Sequence, residues 1–253
     1  SSDQYVLLMS KNEWTKAAEL ISGADSLVAF TGAGISVESG VPPFRGEGGI
    51  WEKWDPQVLE ISYFYSHPEE SWQAIREIFY ATFRAAEPNA AHKTLAFWEE
   101  LGMLKALVTQ NIDGLHERAG SKRVIRYHGN SNYLVCTQTG KRYPVTTELI
   151  EQKVPLSEAG ALLKPDFIFF GEGIPEEAAR DAEQVSREAD VMLVVGTTGE
   201  VYPAALMPRV AKENGATLIE VNTEKSAYTR ALTDLYLEAP ASEALPKLNE
   251  LLR

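Results

Sequence analysis

The fold class this sequence predicts is α/β, with a doubly wound parallel sheet, and three observations predict it. Short apolar runs of strand length alternate with stretches of helical spacing. The clearest run, Val191-Met192-Leu193-Val194-Val195, is apolar at every position, as a strand buried on both faces must be. Polar residues and glycines gather where the runs end, at Gly32–Gly34, Gln110–Asp113, Gly196–Thr198 and Asn222–Glu224. Open α/β sheets bind ligands at those strand ends.

The elements follow in order. Residues 11–22 have helical spacing, with Trp14, Ala17, Ala18, Leu20 and Ile21 on one face. Ser26–Phe30 reads as the first strand. The aromatic-rich stretch 58–84 reads as helical, and Pro88 then separates it from a helix over 90–101. Strands are predicted at Leu104–Thr109, Val124–Arg126, Val191–Val195, Thr217–Val221 and Asp234–Glu238, with a terminal helix from about 241. Residues 130–165 break the alternation with turn residues and short apolar runs, as a small insertion would. This divides the chain into a large part, about 11–49, 86–129 and 166–253, and a small inserted part, about 50–85 and 130–165.

Composition narrows the function. The chain has 253 residues, 44% of them apolar, enough for one large domain with a substantial core. A net charge of -12 argues against nucleic-acid binding through a basic field. The single cysteine, Cys136, excludes a disulfide framework and fits a reducing, cytoplasmic setting. No apolar run approaches the roughly 20 residues of a membrane span, and no secretory signal is expected.

The loop after the first strand carries the most chemistry. Thr31-Gly32-Ala33-Gly34-Ile35-Ser36 places Gly-x-Gly at a strand end, where backbone N–H groups can approach a phosphate. The dehydrogenase fingerprint needs a third glycine, and Val37 stands there. The segment therefore reads as a nucleotide loop of another kind.

Taken together, the motifs resemble the sirtuins, NAD-dependent protein deacylases, from about Phe30 to about Ala239. They are Gly32-Ala33-Gly34-Ile35-Ser36 with Phe44-Arg45-Gly46, Gln110-Asn111-Ile112-Asp113 with Leu115-His116, His128-Gly129, Pro165-Asp166, Phe169-Phe170-Gly171-Glu172, Gly196-Thr197-Thr198 and Asn222. The resemblance implies a Rossmann-like sheet with a small inserted helical, zinc-module-like domain. It implies that Gly32, Ala33, Gly34, Ile35, Gln110, Asn111, Ile112 and Asp113 line an NAD site, with Phe44 and Arg45 on a mobile cover. Gly196, Thr197, Thr198, Asn222, Thr223, Glu224 and Ala239 would hold the adenosine half. Asn111 and Asp113 would serve the nicotinamide side.

The implied reaction consumes NAD. The acyl oxygen of an acyl-lysine attacks C1′ of the nicotinamide ribose, nicotinamide leaves, and an alkylimidate forms. His128 deprotonates the ribose hydroxyl that attacks it, and water releases lysine and O-acyl-ADP-ribose. An unperturbed pKa of about 6.5 suits a histidine to that role. His67, His92 and His116 read as structural, with His116 bracing the Asn111 loop. Phe170, Gly171 and Glu172 would form the edge onto which the peptide adds as a strand, with Val201 and Tyr202 framing the cleft.

Two departures from the family carry information. Sirtuins with a structural zinc have two Cys-x2-Cys pairs. Here Cys136 keeps the first ligand, Thr139 takes the second, and Leu156 and Ala159 align with the other two. No zinc is expected. Tyr133, Leu134, Val135, Tyr143, Leu149, Ile150 and Leu156 would supply the folding energy instead. Sirtuins that prefer acidic acyl groups carry Tyr-x-x-Arg, where this chain has Ile75 and Ile78. An apolar pair does not stabilise a buried carboxylate, so neutral acyl groups are expected. The sequence leaves two alternatives open: an ADP-ribosyltransferase on the same NAD site, or a weakly active module that senses NAD or ADP-ribose.

Overall fold

A computed structural model describes residues 13–252. The expected first helix covers 13–22, and residues 11 and 12 lie outside the described residues. Nine strands follow in chain order: β1 Leu27–Thr31, β2 Leu104–Thr109, β3 Val124–Arg126, β4 Gly129–Cys136, β5 Arg142–Pro144, β6 Leu163–Phe167, β7 Val191–Val195, β8 Thr217–Asn222 and β9 Leu235–Glu238. With α1 at 13–22, the helices are α2 Ile61–Ser66, α3 Pro68–Ile75, α4 Ala81–Ala85, α5 Ala90–Glu100, α6 Leu115–Arg118, α7 Thr147–Glu151, α8 Glu176–Glu188, α9 Met207–Glu213 and α10 Ala241–Leu251.

Six strands form one parallel sheet in the order β3-β2-β1-β7-β8-β9. The chain leaves β1 toward β2 on one side and builds β7, β8 and β9 on the other. The switch point therefore lies between β1 and β7, where ligand crevices form in such sheets. Successive β1 side chains go to opposite faces. Leu27 and Ala29 join α1, α5 and α10 in one core, while Val28 and Phe30 join α8 and α9 in the other.

Strand boundaries shift for local reasons. Ser26 is not in β1, because its N–H and that of Asp25 are taken by the Asp190 carboxylate. Asp234 likewise precedes β9, since its carboxylate accepts from Leu218 N–H and pairs with Lys212. The acid-rich helix α8, with few apolar residues, escapes a reading based on apolar runs.

The inserted part is helical through α2, α3, α4 and α7, but it is not helical throughout. It contains a second, antiparallel sheet in the order β5-β4-β6, whose strand β4 begins at Gly129 and whose strand β6 runs to Phe167. Its buried face shares a core with the aromatic helices, including Phe64, Trp72, Phe79, Leu134, Leu163 and Phe167. Trp72 Nε1 donates to Leu163 O at 3.0 Å and fastens α3 to β6. Two residues expected in this core are exposed instead: Tyr133 (37%) and Leu156 (41%). Cys136, Ala161 and Leu163 occupy it in their place.

Candidate active site

The site begins where β1 and β7 end. Gly32 N–H donates to Val195 O at 3.0 Å, and Gly34 N–H donates to Gly196 O at 2.8 Å. A Cβ on Gly34 would lie 2.7 Å from Gly196 Cα, and one on Gly32 would lie 2.8 Å from Gly196 O. The glycines are thus required because two backbones touch. Gly34 also lines the crevice across the ends of β1, β7 and β8. A 3-10 helix, Ala33–Ser39, continues from Gly32 and buries Ile35 and Ser36, while Val37 is exposed.

The β2 loop is locked to this corner. Gln110 Nε2 donates to Thr197 Oγ1 at 3.1 Å, and Asn111 Nδ2 donates to Gly32 O at 2.9 Å. Ile112 O accepts from Ser131 Oγ at 2.6 Å. Asp113 is buried, and its Oδ1 accepts from Leu115 N–H at 2.9 Å. Burial pushes its carboxyl pKa up, against the hydrogen bonds from Leu115 and Ser36.

Beneath these residues lies a buried polar chain. Asn89 N–H donates to His92 Nδ1 at 3.0 Å, so in the neutral ring Nε2 carries the proton and faces Ser36 Oγ at 3.2 Å. His116 Nε2 lies 2.9 Å from Thr31 Oγ1, which bonds Thr109 Oγ1 at 2.8 Å. Burial lowers the pKa of His92 to about 4 and that of His116 to about 3. His116 connects through Thr31 and Thr109 to the Asn111 N–H, and His92 supports the Ser36 side of the first loop. The chain His92–Ser36–Asp113 was not foreseen, although Asn89 and His92 have the spacing of a reciprocal helix cap.

His128 differs from both. Its Nδ1–H donates to Gln110 O at 3.1 Å, which leaves Nε2 of the neutral ring free to take a proton. Burial lowers its pKa below the ordinary 6.5, and the Gln110 carbonyl opposes that shift. A neutral, oriented imidazole therefore stands just beyond β3, bonded to Gln110 at the end of β2. That is the arrangement of a general base.

A crevice opens across the ends of β1, β7 and β8. Gly34, Gly196, Asn222, Thr223 and Ala239 line it together with Val37. Asn222 is held in place by Nδ2 donating to Thr197 O at 3.0 Å and by its own O accepting from Ala239 N–H. Thr198 and Glu224 are exposed near the rim and do not line the crevice. Below the turn, Glu220 is buried and accepts from Thr229 Oγ1 at 2.7 Å, Thr233 Oγ1 at 2.9 Å and Ser226 Oγ. A lone carboxylate in an apolar strand, followed by three hydroxyls, was the signal that went unread.

The comparisons agree with this geometry. A family model described as the Sir2 family matches residues 32–203. The chain is 42% identical to NAD-dependent protein deacetylase 1 of Pyrobaculum aerophilum over 96% of each chain. It resembles a solved Sir2 complex with a p53 peptide and NAD+ (TM-score 0.84, 38% identity, 93% of this chain and 96% of that one). A second Sir2 structure, with deacetylated p53 peptide and 3′-O-acetyl ADP-ribose, gives a TM-score of 0.87 at 38% identity over 93% and 96%. The chain belongs to the Sir2 family.

In this sirtuin the cover loop is folded and compact. Trp51 N–H donates to Phe44 O at 3.0 Å, and Ile50 N–H donates to Pro43 O at 2.9 Å. The Phe44 ring, 37% exposed, packs 5.5 Å from Trp51 and 6.2 Å from Phe79, while Arg45 is exposed. Gly49 has no room for a Cβ, so this glycine serves the shape of the turn. Behind the loop lies a cavity of about 540 Å³, lined by Pro42, Gly49, Ile50, Trp54 and Ile78. Ile78 reaches this cavity, whereas Ile75 is fully buried in the core. Between them the helix widens into a π turn, Arg76–Tyr80, a feature often found at functional sites.

The Phe170 backbone, expected at the peptide edge, is already paired within the chain. Phe170 N–H donates to Leu59 O at 2.8 Å, and its O accepts from Ile61 N–H at 2.9 Å. The Phe170 side chain is 51% exposed, and Gly171, Val201 and Tyr202 are exposed too. Glu172 turns inward, pairing with Lys164 at 2.9 Å.

The sirtuin zinc module survives here as a fragment. Hydrogen bonds from Thr139 and from the Gln138 and Thr139 backbone hold the Cys136 thiol below its usual pKa. Ser157, rather than Leu156, is the next neighbour of that thiol; its Oγ accepts from Ala161 N–H at 3.1 Å. One thiol and two hydroxyls do not fit a tetrahedral zinc site. Among the described residues, no three His, Cys, Asp or Glu side chains cluster to hold a metal ion. No described helix is long and apolar enough to cross a membrane.

Proposed function

We propose that this sirtuin removes acetyl, or another neutral acyl group, from protein lysine, consuming NAD and releasing nicotinamide and O-acyl-ADP-ribose. The observation that carries the reading is the neutral His128, held through Nδ1–H by Gln110 O with Nε2 free. His128 takes the proton of the ribose hydroxyl. Asn111 and Asp113 orient the nicotinamide side, and Phe44, Arg45, Ala33 and Ile35 exclude water from the breaking bond. Gly32, Gly34, Gly196, Thr197, Thr198, Asn222, Thr223, Glu224 and Ala239 hold the pyrophosphate and adenosine. Gln110 and Ile112 support the loop between the two halves. Phe170, Gly171 and Val201 receive the acyl-lysine peptide.

The apolar Ile75 and Ile78 support neutral acyl groups over succinyl. The poor donor set around Cys136 supports a protein without structural zinc. No nucleic acid or membrane partner is proposed, and the low cysteine count favours the cytoplasm. The division into a large part and an inserted part, near residues 50–85 and 130–165, goes with this reading.

An ADP-ribosyltransferase would use the same pocket, and a sensor would bind NAD without turnover. A base set up as His128 is favours the deacylase. The test is an acetyl-lysine peptide with NAD. Nicotinamide and O-acetyl-ADP-ribose should form, faster than with a succinyl peptide. His128→Ala should cut turnover by about a hundredfold or more and leave NAD binding intact. Nicotinamide release that is independent of the acyl peptide would overturn the reading.

A further inference from the structure

Lys164 is a lysine on β6 with 9% exposure, in a core of aromatic rings. Its Nζ donates to Pro165 O at 2.8 Å and Phe167 O at 2.7 Å, and it pairs with Glu172 Oε1 at 2.9 Å. Three N–H groups thus meet three acceptors. The ammonium also sits 4.3 Å from the centre of the Phe169 ring. Glu172 Oε1 takes a second hydrogen bond, from Phe169 N–H at 2.9 Å. Together the two side chains close residues 164–172 into one rigid loop.

Two functional pieces ride on that loop. Ile168 N–H donates to His128 O at 2.8 Å, so the loop is bonded to the residue that carries the general base. Two residues further on, Phe170 is fixed between Leu59 and Ile61 and turns its ring outward. The buried phenyl of Phe169 between them packs on Phe64 and Phe167 at 5.1 and 5.4 Å. Stability alone does not explain a buried ion pair here, because an apolar side chain of similar volume is often as stable.

We infer that Lys164 and Glu172 are a buried positioning pair that sets the acyl-lysine peptide edge at Phe170 and Gly171 against His128. The inference rests on the deacylase reading and moves Glu172 from contacting the peptide to holding the edge in place. Burial lowers the Lys164 pKa and the Glu172 carboxylate raises it, so the lysine's charge leans on that carboxylate. Neither side chain reaches the crevice between β1 and β8, so the pair acts on the peptide and not on NAD.

The test compares Lys164→Met, Glu172→Gln and the double variant in the full chain. Acetyl-lysine peptide is varied at saturating NAD, peptide binding is followed by fluorescence polarisation, and NAD binding is measured by calorimetry without peptide. The peptide KM and Kd should rise about tenfold or more, the worth of one charge-assisted hydrogen bond. NAD affinity and kcat should stay within about threefold, and the double variant should be no worse than the more damaged single one, as for a coupled unit. Unchanged peptide affinity in folded variants, or equal losses for peptide and NAD, overturns the inference. If Lys164→Met does not fold, Glu172→Gln, which keeps an acceptor for Phe169 N–H, supplies the same comparison. A wild type that binds the peptide without releasing nicotinamide fails the deacylase reading alone, and peptide Kd still decides the role of the pair.

Discussion

The two sheets hold their loops by different means. At the ends of β1 and β7, Gly34 and Gly196 bring backbone against backbone, and two buried hydrogen-bonded groups lie beside them, Thr109–Thr31–His116 and Ser36–His92, whose imidazole rings meet edge to face at 5.1 Å. In the three-stranded sheet, β4 and β6 rest on an apolar core, and the turns beyond it are open. The first arrangement has no slack, because moving one group leaves a clash or an unpaired buried atom. Away from Gly129, where a Cβ would lie 2.3 Å from Asp166 O, the second tolerates loss, because packing spreads over many side chains.

One pair of glycine substitutions tests the comparison and carries the largest effect. A Cβ on Gly196 would lie 2.4 Å from Ile35 N, at a φ of 65°. Gly140, in the β4–β5 turn, has a φ of 75°, yet nothing lies within 4 Å of its Cβ position. Gly196→Ala should cost more than about 4 kcal/mol, or prevent folding, because the clash adds to the backbone strain. Gly140→Ala should cost about 1–2 kcal/mol, the strain alone. Urea denaturation of both variants provides the measurement. Equal costs would show that conformation, rather than contact, decides both sites.

Acid provides the next largest effect, and it acts on one region. His92 and His116 are neutral in the fold, with pKa values near 4 and 3 against 6.5 when unperturbed. Between those values the unfolded chain binds protons that the folded chain cannot. Stability therefore falls as pH drops below 6.5, with a slope of up to about 1.4 kcal/mol per pH unit for each histidine. The loss should continue to about pH 4 for His92 and about pH 3 for His116. Residues 129–167 contain no histidine. Hydrogen exchange at pH 5 should therefore loosen β1, β2 and α6 before β4 and β6. The reverse order would place the acid-sensitive point elsewhere. His128, also lowered, puts the acidic limb of kcat/KM below pH 6.5.

The sequence shows the large sheet well and the site in part. Runs such as Val191–Val195 and Leu104–Thr109 are legible because burial on both faces leaves few alternatives to a parallel strand. His128 and Asn111 are legible because their neighbours in the chain form a pattern. The reason for Gly32 and Gly34 is not, since the atoms they avoid belong to Gly196, on a distant strand. Glu220 and Lys164 looked like ordinary charged residues because their partners are defined only after β8 and β6 are placed. That Ser157 is the residue beside the Cys136 thiol is likewise visible only once β4 and the turn before β6 are placed.

Cys136 brings the smallest expected effect and the sharpest test of the tolerant sheet. The thiol is 3% exposed and belongs to the core of Leu134, Ile150 and Leu163, but its polar neighbours are hydroxyls and backbone N–H groups. A serine hydroxyl in its place keeps hydrogen-bonding partners in Thr139 and Ser157 and loses a little apolar contact. Cys136→Ser should therefore cost about 1 kcal/mol and leave turnover unchanged, since a loss of that size comes from packing and not from a metal. A chelator should not alter the unfolding midpoint of the wild type. One zinc per chain on metal analysis, lost together with more than about 3 kcal/mol in Cys136→Ser, would mean that the thiol still anchors a folding metal. The three-stranded sheet would then be as constrained as the corner between β1 and β7, and the contrast between the two sheets would fail.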